Sequence, residues 1–108
     1  MACACTCSNG FIKSLAGGSK FTATFVIDDI QYHFSGNINP SVQDFVCDRA
    51  TLQYGSLGEL TTQRQCEGKI GTQNIELTII NGPTIKGPLN SPIDPATRVS
   101  GVGTWAQN

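Results

Sequence analysis

Long apolar runs are missing from this sequence: the longest extend over a few residues, where a membrane-crossing helix needs about 20. Charge of one sign is missing as well. Seven Lys and Arg stand against eight Asp and Glu, for a net charge of −1, and they are scattered. That leaves no basic stripe to meet phosphate and no polybasic patch for an anionic membrane, so neither nucleic acid nor a transmembrane segment is expected. A basic n-region followed by an apolar h-region is not seen, and the expectation is an intracellular chain or one already processed, with the compartment left open.

Catalytic signatures are equally scarce. His33 is the only histidine, no G-x-S-x-G pattern marks a nucleophile, and the pairs Asp28-Asp29 and Asp44/Asp48 lack the dense spacing of a calcium loop. Turn formation and solvation account for these carboxylates, and His33, alternating with Gln31 and Ser35, reads as an exposed strand residue. No catalytic residue and no cofactor are expected.

Helical periodicity and internal repeats are absent over any useful length. What the chain has instead is twelve Gly, many Thr, Ser, Asn and Gln, and only 14% charged residues, a mixture suited to strands and turns. At 108 residues it can build one core. The expected fold is all-β: about seven antiparallel strands in a small barrel or sandwich built from consecutive hairpins, with at most one short helix. Residues 1–9 are assigned to a Cys-containing N-terminal arm and 10–108 to a single β domain.

The clearest hairpin spans Phe21 to Gly36. With Asp28-Asp29 as the turn, Ile27 faces Ile30, Phe25 faces Tyr32 and Ala23 faces Phe34 on one side, while Thr22, Thr24 and Val26 meet Ser35, His33 and Gln31 on the other. A second hairpin, Gln63 to Ile80 around Thr72-Gln73, sets Ile70, Gly68 and Cys66 against Ile75, Leu77 and Ile79, and Lys69 against Glu76. Between the two, Val46–Tyr54 is expected to pair with Glu59–Cys66. Apolar phase favours Leu52 opposite Leu60, and a one-residue shift sets Cys47 opposite Cys66. Pro40, with Asn39 as cap, suggests a helical turn at Ser41–Asp44. The four prolines between Asn81 and Thr97 predict an extended loop or edge segment, and Val99, Gly101, Gly103 and Trp105 share one face of a closing strand.

Five cysteines, an odd number, do not make a closed disulfide framework. Cys3, Cys5 and Cys7 alternate, so in an extended segment their thiols project to one side within reach of a soft ion such as Cu(I) or Zn²⁺. Cys47 and Cys66 are the candidate disulfide. Among the aromatics, ordinary packing is the expectation.

By elimination the leading expectation is a non-catalytic binding or interaction module that holds a small ligand or a partner protein. Its contacts are placed on the Pro-rich segment and the last strand, at Ile85, Leu89, Ile93 and Trp105. A thiol-based metal-binding or redox protein is the first alternative, and a small barrel enzyme that positions substrate in an apolar cavity is the second. Ile80 lies on the strand face opposite Ile75, Leu77 and Ile79, which at a sheet edge calls for a covering subunit, so a homo-oligomer, at least a dimer, is expected.

Overall fold

Asp28 and Asp29 set the first hairpin. Both adopt left-handed backbone angles, φ 53° and 66°, the turn whose twist matches that of the flanking strands. In the computed structural model, which describes residues 6–15 and 19–107, this turn joins β2 (Lys20–Ile27) to β3 (Ile30–Asn39). The register is the expected one, from Ile27↔Ile30 through Phe25↔Tyr32 and Ala23↔Phe34 to Phe21↔Gly36. On the outer side Thr24 Oγ1 lies 2.9 Å from His33 Nδ1 and Thr22 Oγ1 lies 3.0 Å from Ser35 Oγ.

The other strands are β1 (Thr6–Ser14), β4 (Val46–Tyr54), β5 (Gln63–Ile79) and β6 (Thr84–Gln107). All pairings are antiparallel, in the order β3-β2-β1-β4-β6-β5, and a β3–β6 pairing closes the ring. The architecture is a small closed β-barrel: five strands complete the circuit and β5 joins it through β6.

Both long strands are bent. β6 meets β4 only through Thr84–Lys86 and meets β3 through Ser100–Gln107. β5 pairs with both halves of β6, through Gln63–Ile70 against Thr97–Thr104 and through Asn74–Thr78 against Thr84–Pro88. It also turns back on itself. Ile80 N donates to Gln65 O at 2.8 Å, and a Cβ placed on Gly68 would run into the backbone of Glu76 and Leu77, which is the expected pairing of the two limbs around residues 71–73. Gly71 takes φ +106°, and a Cβ there would lie 2.5 Å from Ile93 O, so the bend requires glycine.

Side chains occupy the barrel interior. Ile12, Phe21, Phe25, Phe34, Leu52, Ile70, Ile75, Leu77, Ile79 and Ile85 are fully buried, and no polar or charged side chain among the described residues is buried with them. Phe34 packs against Phe21 at 5.7 Å and Trp105 at 4.7 Å between ring centroids.

Several expectations are corrected. β4 lies between β1 and β6, not beside Glu59–Cys66. Alternation says which face of a strand is buried but not which strand lies next to it, and the segment after β4 leads the chain away through a 3-10 turn at Leu57–Glu59 and Thr62 at φ 65°. Arg64 fastens that segment, donating to Thr61 O at 3.1 Å and Asn81 O at 2.9 Å. No helix forms at Ser41–Asp44; the neighbouring Phe45 is buried and exchanges hydrogen bonds with Ser14, its N–H donating to Ser14 Oγ at 2.8 Å.

Of the two readings of the Pro-rich segment, the edge segment holds and the loop does not: from Thr84 it is the first half of β6, paired beyond Lys86 with β5 alone, and Pro88, Pro92 and Pro95 fall where the β5–β6 ladder shifts register, a position that tolerates a missing N–H. β1 starts at Thr6, so Cys7, Ser8 and Asn9 belong to the wall rather than to an arm. Among the described residues no helix is long and apolar enough to cross a membrane.

Candidate functional site: a bulge in the barrel wall

Two residues of β4 face one of β1. Gly10 pairs with Ala50 and Ile12 with Cys47, leaving Asp48 and Arg49 opposite Phe11 alone. Such a bulge breaks the two-residue alternation, and here it turns consecutive charged side chains outward while Cys47 and Ala50 both stay buried. Bulges re-aim side chains, and this one creates a surface that a regular strand would not.

Phe11 lies at its centre. Of the eight aromatic residues, the other seven are buried and Phe11 alone is partly exposed. The Lys13 ammonium sits 5.7 Å from its ring centroid. An open cleft of about 640 Å³ is lined by Asn9, Gly10, Phe11, Asp48, Arg49 and Thr51. A second, of about 350 Å³, is lined by Asp48, Arg49, Pro88, Leu89 and Asn90. Sharing Asp48 and Arg49, the two form one groove across β1, β4 and the start of β6.

Its polar groups are held in place. Asn90 Nδ2 donates to Asp48 Oδ2 at 2.8 Å, and Asp48 N donates to Asn90 Oδ1 at 3.2 Å. The amide thus holds Asp48 at its backbone N–H and at one carboxylate oxygen, and Oδ1 of Asp48 has no hydrogen bond among the described residues. The Arg49 guanidinium has no side-chain hydrogen bond or ion pair among the described residues, so its donors are free for a ligand.

Another cleft, about 620 Å³, lies over the two limbs of β5 and the second half of β6, lined among others by Asn39, Glu67, Lys69, Glu76, Arg98 and Ser100. Lys69 pairs in register with Arg98, and Glu76 with Lys86. Cations and carboxylates are mixed here, without an aromatic face.

The structure places the residues singled out in the sequence elsewhere. Ile85, Ile93 and Trp105 are buried in the core and Leu89 packs against it, so Ile85, Ile93 and Trp105 stabilise the barrel and offer no binding surface; Leu89 alone also reaches the groove. Trp105 Nε1 is buried without a hydrogen-bond partner among the described residues. Cys47 and Cys66 are both free and buried. They sit on β4 and β5, which do not pair, so the expected disulfide between them is not formed.

Burial is also the main reason both thiols titrate high, with Cys66 pushed up to about 11. Burial likewise raises the Tyr54 phenol, helped by the nearby Asp28 charge and Tyr32. Cys3 and Cys5 lie outside the described residues, and Cys7 is disulfide-bonded, so its sulfur is not a thiolate open to a metal. No group of His, Cys, Asp or Glu able to hold a metal ion occurs among the described residues.

Sequence reasoning missed Phe11, Asp48, Arg49 and Asn90 as a group. One signal was present: the buried positions Cys47, Ala50, Leu52 and Tyr54 slip by one between 47 and 50, the mark of a bulge. The meeting of this strand with Phe11 and Asn90 is a matter of topology and left no local trace. No protein-family model, curated protein or solved structure matches this chain.

Proposed function

We propose that this chain is a non-catalytic binding module that holds its ligand or partner on the outer wall of the barrel. One observation carries the reading: side chains occupy the interior, while the wall presents open clefts in which Arg49, Lys69, Glu76 and Arg98 have no side-chain partner among the described residues. The strands fix where these groups emerge, and charges without an internal partner engage a ligand without first breaking a protein contact, which favours recognition. A barrel enzyme acting through an apolar lumen lacks that support, because the space it needs is taken by Phe21, Phe25, Phe34 and their neighbours. A thiol mechanism at Cys47 or Cys66 lacks it too, since these two thiols, the free ones among the described residues, are buried and titrate high and a nucleophilic cysteine needs its thiolate.

The test is retention from an extract of the host cell on the immobilised chain and on the triple variant Arg49→Glu, Lys69→Glu, Arg98→Glu. A protein or small molecule retained by the native chain and released by the variant is the expected result. Identical retention profiles, or conversion of a retained compound into a new product, would overturn the proposal.

A further inference from the structure

We infer that the groove over the β4 bulge is a binding site for a short neutral oligosaccharide. This deepens the binding reading above and rests on it. A sugar ring has a weakly polar C–H face and a rim of hydroxyls, each both donor and acceptor. A matching site needs an aromatic surface beside fixed acceptors and donors, placed close enough to engage neighbouring hydroxyls together. The bulge supplies these parts side by side. Phe11 is the one aromatic left outside the core. Asp48, braced by Asn90, offers a carboxylate oxygen, and Arg49, the next residue, offers a planar fork of donors suited to two-point contacts.

Adjacent opposite charges also select the ligand class. An anion that suits Arg49 is opposed by Asp48, and a cation that suits Asp48 is opposed by Arg49 and Lys13, whereas a neutral polyol uses both groups. The groove runs from Asn9 past the bulge to Asn90 along two joined clefts, which points to more than one sugar ring. Lys13 rests by the Phe11 ring on a flexible stem and swings aside as a ring stacks there. The cleft over β5 has more charges but neither an aromatic face nor a braced group, so it does not compete for this ligand.

The experiment is a titration of the isotope-labelled full chain, followed through its backbone amides by NMR. The probes are cellotriose, maltotriose, xylotriose and chitotriose at millimolar concentration, with inorganic phosphate as an anionic control. The expected result is saturable shifts at Phe11, Asp48, Arg49 and Asn90 with at least one trisaccharide. Affinity then falls about tenfold or more in Arg49→Ala and in Phe11→Leu and is unchanged in Lys20→Ala, an exposed position on β2 outside both clefts. Because both altered side chains are on the surface, the variant spectra also report that the fold is intact, and Arg49→Lys, which keeps the charge but not the fork, weakens binding as well.

Shifts with phosphate alone, shifts confined to the β5 cleft, or trisaccharide shifts that survive both variants would each overturn the inference while leaving a ligand-binding wall. No shift with any probe also overturns it. If the extract experiment still shows retention lost on reversing the wall charges, only the ligand class has failed.

Discussion

At Gly103 a single missing methyl group decides how the core packs. A Cβ there would lie 2.5 Å from the Phe34 ring, and that ring is held between Phe21 and Trp105 with no room to swing away. Overpacking of this kind costs about 1–3 kcal/mol, so Gly103→Ala is expected to lower the urea midpoint accordingly. Adding Phe34→Leu should recover part of the loss, because the two sites share one contact.

Cys66 makes a second residue-scale prediction. Its thiol is raised by burial from 9.0 to about 11, against a smaller opposing backbone hydrogen bond at Gly101. As the pH rises past the unfolded value the unfolded chain loses this proton while the folded chain keeps it. Stability is therefore full below pH 9 and falls as the pH approaches the folded value, by on the order of 2 kcal/mol. Denaturant midpoints measured on either side of pH 9 for the native chain and Cys66→Ala should show the pH dependence shrinking in the variant. An undiminished slope would mean that the thiol is not sequestered.

At the scale of elements, the turns are where local chemistry and fold agree least comfortably. Asp28 and Asp29 occupy left-handed angles that Asn-Gly adopts more readily, and two adjacent carboxylates repel. Asp28→Asn with Asp29→Gly is expected to stabilise the chain by about 1 kcal/mol, read as a higher melting temperature, with the β2–β3 register unchanged. Gly71 is the opposite case. Its φ of +106° and the nearby Ile93 carbonyl leave no accommodation for a side chain, so Gly71→Ala should destabilise by about 2 kcal/mol or more in the same measurement, loosening the joint on which both limbs of β5 depend.

For the whole molecule, closure of the wall removes the reason to expect a partner subunit. That expectation needed Ile75–Ile80 to be a sheet edge, yet Ile75, Leu77 and Ile79 are buried in this chain's own core and β5 is paired along both limbs. Ile80 alone of that group is exposed, at 40%, and a single aliphatic side chain is far less than the apolar patch a stable interface uses. Sedimentation at micromolar concentration is therefore expected to give a mass near 11.5 kDa; a clean dimer would show that the outer wall is itself an interface.

Hairpins contained within a short stretch of chain were legible from the sequence. The β2–β3 register, the folding back of Gln63–Ile80 and the inward set Val99, Gly101, Gly103 and Trp105 all follow from alternation between faces and from turns that bring sequence neighbours together. Pairings between distant strands were not. Whether β4 lies beside β1 or β5, and whether a proline-rich stretch runs as strand or loop, depends on which edges remain open when the barrel closes, and alternation carries no information about that. The groove belongs to this second kind. Phe11, Arg49 and Asn90 come from three strands, and only closure of the wall, with one extra residue in β4, puts them on one surface.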